Sequence, residues 1–196
     1  MLNWIEPTKN ESLNSYVQRI SENIILHDDE ELILIGHSFG GVLAQEIAQI
    51  KKVKLIFLIS SIKMRKELSN TLFFAHLLKL YHLVSKKLIV NAFPLYGSRH
   101  GFNTVEKRAL FEDMIQSHSN HYLQWAIKTI GAWKGVPDGL PIFQIHGSSD
   151  IVFRCAKIQE PYFKVNGGNH IMVYDMADQI NSIIMEQLHK LSESKL

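Results

Sequence analysis

Glu31-Leu32-Ile33-Leu34-Ile35-Gly36-His37-Ser38-Phe39-Gly40-Gly41 is the stretch that decides the fold. The apolar run has strand length and ends on a glycine, which favours a buried parallel strand. The segment that follows, Val42 to Ile50, carries Leu43 and Ile47 at helical spacing. The G-x-S-x-G of Gly36 to Gly40 therefore sits between a strand and a helix, the setting in which this motif makes a sharp turn. Such a turn pushes Ser38 out at the carboxyl end of its strand. Bulky neighbours would clash there, so Gly36 and Gly40 are expected at close backbone approaches. The Ser38 hydroxyl then stands at a helix N-terminus, and the N–H of Phe39 points toward a developing oxyanion. The plainer alternative is a Gly-rich link with no chemistry.

Working outward, Lys54 to Ile59 reads as a second buried strand. Strand, helix, strand at this spacing is a βαβ unit, so the sheet is expected to be parallel. Upstream, Ser12 to Leu26 reads as a helix, with Leu13, Tyr16, Val17, Ile20 and Ile24 in register. From Lys63 to about Gly135 no strand pattern is seen. Glu67 to Val90 and Thr104 to Ile130 read as helices, separated by Phe93-Pro94-Leu95-Tyr96-Gly97. Pro137-Asp138-Gly139 marks the return to a strand over Leu140 to Ile145. A short strand, Tyr162 to Val165, and a helix, Ile171 to Leu191, complete the chain. The expected architecture is α/β: a mainly parallel sheet flanked by helices. Residues 1–62 and 136–196 form the core, and residues 63–135 form a helical cap insertion.

A serine hydroxyl is a weak nucleophile at neutral pH and needs a base. In this architecture an acid and then a histidine should follow, each just after a later strand. His146-Gly147-Ser148-Ser149-Asp150 follows the third strand and offers Asp150. Asn166-Gly167-Gly168-Asn169-His170 follows the fourth and offers His170, with two glycines permitting a tight loop. Alternatively, Asp150 caps a turn and His170 neighbours a helix cap. The ordered combination is more specific than any part of it.

Composition limits the remaining classes. The chain has 196 residues, 46% apolar and 20% charged, which argues against disorder and fibrous repeats. Lys plus Arg is 21 and Asp plus Glu 19, a net charge of +2, too balanced to suggest nucleic acid as a partner. The one cysteine, Cys155, excludes an internal disulfide and fits a reducing compartment. No apolar run is long enough for a membrane span, and the start of the chain does not read as a signal peptide, so the expected location is the cytoplasm. His118 and His121 lie three apart without a supporting carboxylate or cysteine pattern, so no metal is expected. No cofactor is needed for serine-based acyl transfer.

With these segments quoted, the chain resembles the α/β-hydrolase fold superfamily. It looks like the small carboxylesterase-like branch that includes pimeloyl-carrier-protein methyl ester esterases. The resemblance rests on Gly36 to Gly41, His146 to Asp150 and Gly167 to His170, and on the place of the helical insertion. It implies that Ser38 is the nucleophile, Asp150 the orienting acid and His170 the base of a serine esterase acting on a small, apolar carboxylic ester. His37, beside the nucleophile, is a candidate substrate contact, or else packs locally. Either the apolar cap or an exposed sheet edge offers a surface for a second subunit.

One feature of the family pattern is missing. Such proteins carry a Gly-rich turn whose N–H completes the oxyanion hole, and no glycine precedes Gly36. Asn3-Trp4-Ile5-Glu6-Pro7 resembles the strand after that turn. Three readings stay open: an N-terminally incomplete sequence of an active esterase, a short form completed by a partner or rearrangement, or a weakened or inactive relative that binds rather than catalyses.

Overall fold

A computed structural model describes residues 2–27, 30–137 and 139–193. Among the described residues, four strands form one sheet: β1 (Leu32–His37), β2 (Val53–Ile59), β3 (Ile142–Gly147) and β4 (Phe163–Val165). They lie in the order β1-β2-β3-β4 and every pairing is parallel. The parallel arrangement follows from the central strands: Leu55 to Ile59 of β2 are buried without interruption, as in a sheet covered on both faces. One face packs beneath α1 (Leu13–Ser21) and α2 (Phe39–Ile47) through Tyr16, Ile20, Leu43, Ile47, Ile56 and Leu58. The other holds Phe57, Ile59, Ile145 and Val165 against Met172, Ile180 and Ile184. The last three come from α7 (Met172–Asp175) and α8 (Ala177–Glu193), which replace the single helix expected there.

Between β2 and β3 the chain is helical: α3 (Asn70–Leu77), α4 (Lys86–Tyr96), α5 (Val105–Gln116) and α6 (Asn120–Ala132), with short 3₁₀ turns between. The ends of this stretch meet in an antiparallel bridge between Met64 and Gly135. The two long helices expected here are each broken. Lys79 adopts a left-handed φ of 54°, and the hydroxyls of Ser69, Ser85, Thr104 and Ser119 each cap a new helix. Caps outweigh continuous apolar spacing because each satisfies a backbone N–H that otherwise has no partner. Conversely, Pro94 does not end a helix but lies inside α4. Its neighbour Phe93 is buried among Phe102, Phe111 and Ile115, so packing offsets the lost backbone bond.

Two further expectations fail at the N-terminal end. The helix α1 stops at Ser21 rather than reaching Leu26, and Ile25 is exposed. Residues 3–7 form no strand. They are held instead by side chains: Tyr16 Oη donates to the Ile5 carbonyl at 3.0 Å, and the Arg19 guanidinium to that of Glu6 at 2.9 Å. Asp138, in the expected return turn, lies outside the described residues.

Candidate active site

The turn from β1 into α2 is strained and locked. Ser38 has φ 52° and ψ −124°, a conformation costly for a non-glycine residue. Its N–H donates to the Ile59 carbonyl at 3.0 Å, and its own carbonyl accepts the Ser61 hydroxyl at 2.7 Å. A Cβ on Gly36 would stand 2.5 Å from the Gly40 carbonyl oxygen and the Gly41 Cα, so this position has to be glycine. A Cβ on Gly41 would overlap Ser61. Gly40 differs from expectation: a Cβ there meets only the Trp4 ring, at an ordinary 3.8 Å. The close approach belongs to Gly36 and Gly41, because Ser61 of the neighbouring strand end presses under Gly41.

Two loops at the ends of β3 and β4 brace each other. The Ser149 N–H donates to the Gly168 carbonyl at 2.8 Å, Ser148 N–H to that of Val165 at 2.9 Å, and Gly167 N–H to the Ser148 hydroxyl at 2.8 Å. A Cβ on Gly147 would overlap the Gly168 backbone. Gly167 adopts φ 75°. These contacts bring Asp150 and His170 together from positions twenty residues apart. Asp150 is buried, and its Oδ1 accepts the N–H groups of Val152 (2.8 Å) and Phe153 (3.0 Å). Its Oδ2 lies 2.9 Å from His170 Nδ1. Burial works to raise the Asp150 pKa, but the bond to His170 and the nearby histidines outweigh it and hold the carboxyl below its usual value.

His170 Nε2 lies 2.9 Å from Ser38 Oγ. A carboxylate only accepts, so Nδ1 carries the proton toward Asp150. Nε2 is then free to accept the Ser38 hydroxyl. The structure thus brings Ser38, His170 and Asp150 into one line, with Phe39 opening α2 directly after the serine. Phe153 and His37 flank the imidazole, with ring centroids 5.6 and 5.3 Å away.

His37 Nε2 donates to the His170 carbonyl at 2.8 Å. Burial, and then the neighbouring His170, lower its pKa to about 4, so it is neutral at pH 7 and occupied as a support for the loop that carries His170. Sequence reading offered local packing as its alternative role. His146 is fully buried and Nε2 donates to the Phe153 carbonyl at 2.7 Å, which ties the strand to the acid loop.

Sequence reading missed Ser61 and Trp4. Ser61 had a usable signal, a polar pair Ser60-Ser61 closing an apolar strand, but its partner lies 23 residues away. The Trp4 indole stacks on Phe39, with centroids 6.2 Å apart, and edges onto Tyr122 at 5.9 Å. His118 stacks on Tyr122 at 4.3 Å, and His121 Nε2 meets the Pro7 carbonyl at 3.1 Å, so this pair is used in packing. Among the described residues no group of three or more His, Cys, Asp or Glu could hold a metal. No described helix is long and apolar enough to cross a membrane.

No family model matches the chain. A curated Mycoplasma pneumoniae protein, provisionally described as an esterase/lipase, is 28% identical over 155 residues, 71% of this chain. The chain spans only 53% of that protein's length. Among solved structures, a Mycobacterium tuberculosis protein provisionally described as a non-heme bromoperoxidase matches with TM-score 0.68 and 14% identity, covering 93% of this chain and 76% of its own. An esterase from Exiguobacterium antarcticum matches with TM-score 0.64 and 13% identity, over 90% of this chain and 72% of its own. These likenesses, with the parallel sheet and the strand-turn-helix at Ser38, establish that this chain has the α/β-hydrolase fold.

Proposed function

We propose that the protein is a serine hydrolase that cleaves a small, apolar carboxylic ester through an acyl-enzyme. The observation that carries this reading is the pair of 2.9 Å contacts that joins Ser38 Oγ to His170 Nε2 and His170 Nδ1 to Asp150 Oδ2. His170 takes the Ser38 proton as Oγ bonds to the ester carbonyl carbon. It then passes that proton to the departing alkoxide as the ester C–O bond breaks. Water attacks the acyl-enzyme with His170 again as base, which frees the acid and restores the serine. Asp150, ionised and buried, holds the imidazole tautomer and stabilises its charged form. The resemblance to proteins described as esterases supports the ester as substrate.

Phe39 supplies one oxyanion donor from the N-terminus of α2. One such N–H is typically worth about 10²–10³ in kcat, which makes the Phe39 donor a large part of the proposed rate. On this reading residues 63–135 act as a cap over a core of 1–62 and 136–196, and the one cysteine of the sequence is consistent with a reducing compartment such as the cytoplasm.

A fluorophosphonate probe tests the proposal. Stoichiometric labelling at Ser38, and p-nitrophenyl butyrate turnover that Ser38→Ala abolishes, are expected. A folded sample that takes no label, or a Ser38→Ala variant that turns over ester like the parent, would refute it. The first of those outcomes points to a fold used for binding.

A further inference from the structure

We propose that the outward face of α3 and the 3₁₀ turn Leu80–Leu83 form a docking surface for a lipid membrane that carries anionic headgroups. This proposal does not depend on the hydrolase reading.

The helix α3 is apolar on the wrong side. Leu72 packs into the cluster of Ile62, Ile130 and Trp133, and His76 presses on Gly131 of α6. At 100° per residue, Leu72 and His76 share one face, Phe74, Leu77 and Leu78 occupy the opposite one, and Phe73 lies on the flank between them. The last four are exposed, Phe74 at 51%, Leu77 at 58% and Leu78 at 63%. Leu80 and Leu83 of the following turn extend the patch, Leu83 at 69%. A surface helix normally buries its apolar stripe and shows its polar one. Here two phenylalanines and four leucines project into solvent. Contiguous patches of this kind mark interaction sites.

Charge selects the occupant. From Leu68 to Val105 there is no aspartate or glutamate, against 19 in the whole chain. The acid that precedes this run along the chain, Glu67, is buried and accepts the N–H groups of Lys63 and Gln159 and the side-chain amide of Gln144. The exposed charged residues of the segment from 65 to 88 are all cationic: Lys66, Lys79 and Lys87. The Arg65 guanidinium lies 5.0 Å over the Phe73 ring, so positive charge borders the apolar surface directly. Apolar side chains framed by cations suit the boundary between anionic headgroups and acyl chains. A second copy of this chain would bring the same cations together, which disfavours self-association. The high exposure of the leucines means that they project rather than line a groove, which suits a bilayer better than an acidic polypeptide.

Co-sedimentation of the full chain with vesicles tests this. Binding is expected to phosphatidylcholine vesicles that contain about one-third phosphatidylglycerol, weaker at high salt, and much weaker to phosphatidylcholine alone. The triple variant Phe74→Ser/Leu77→Ser/Leu78→Ser should bind anionic vesicles about tenfold or more weakly. At about fivefold per cation, Lys79→Glu/Lys87→Glu should lose at least about 25-fold. The charge-reversal variant keeps the proposal testable if the triple variant fails to fold. The proposal is overturned if the parent protein does not prefer anionic vesicles, or if the folded variants bind like the parent. It is also overturned if the parent binds polyglutamate but not vesicles. A dimer that the triple variant dissociates, with no vesicle binding, would assign the face to a second copy instead.

Discussion

At the carboxyl ends of β3 and β4, Gly147 lies so close to the Gly168 backbone that a Cβ on Gly147 would overlap it. In α3, by contrast, no residue is buried and two phenylalanines face solvent. The first region is over-determined. Backbone bonds from Ser148, Ser149 and Gly167 fix two loops to each other, and through them Asp150 to His170. The second is under-determined by its own contacts, since its helices are capped locally but leave much apolar surface uncovered. Close placement matters where, in the proposed reaction, a proton passes from Ser38 to His170 while Asp150 holds the ring. It matters little on a surface whose contribution is area and charge. The helical insertion does reach the loop of His170 through later residues: Gly101 packs on the Asn169 side chain, and Lys107 of α5 pairs with Asp175 at 2.7 Å.

This contrast can be broken or sharpened by substitution. The largest effect is expected from Asp150→Asn, which keeps the shape of the acid loop but removes the charge and favours the wrong imidazole tautomer. Steady-state kinetics should show kcat lowered by about 10⁴ with KM nearly unchanged. A loss of less than tenfold would mean that the loop does not orient the base.

Next, Gly36→Ala places a methyl group against backbone, and backbone cannot yield as a side chain can. Urea titration should show a loss of about 3 kcal/mol or more. The paired variant Gly40→Ala, whose Cβ finds room beside Trp4, should lose far less. Equal losses would contradict the different surroundings of the two glycines.

A third effect depends on pH. The pKa of His37 is about 4 when folded, against the 6.5 of an unperturbed histidine. The unfolded chain therefore binds this proton first, and its uptake favours unfolding as pH falls. The stability is fully present above pH 6.5 and is lost between 6.5 and about 4, by roughly 3 kcal/mol. His37→Gln keeps a donor for the His170 carbonyl but does not titrate. Its unfolding free energy should fall less across that window, and an unchanged slope would show that another group governs it.

The smallest effect is expected in the helical insertion. Leu77→Ser on the exposed face of α3 should change stability by no more than about 0.5 kcal/mol by urea titration. A loss several times larger would mean that this face is covered in the protein in solution.

Much of the site is legible in the sequence because its chemistry is ordered along the chain. An apolar run, G-x-S-x-G and a helix pattern are all local, and the acid and the histidine each follow a strand at short range. Other features depend on neighbours from elsewhere. Gly40 matches the motif, yet Gly41 is the crowded position because Ser61, twenty residues on, reaches under it. His37 reads as a possible substrate contact but is taken up by the carbonyl of a residue 133 positions away. Pro94 reads as a helix end, and the buried aromatic cluster around Phe93 keeps it inside α4.

The sequence by itself determined the parallel α/β arrangement, the strand-turn-helix at Ser38, and the order of serine, acid and histidine. Each of these rests on spacing within a few residues, where covalent geometry limits the choices. Only the tertiary structure decided where the long helices break, why residues 3–7 form no strand, and which apolar residues of the insertion remain in water. Those outcomes depend on which distant side chains fill the space beside a residue, and on whether any strand lies near enough to pair.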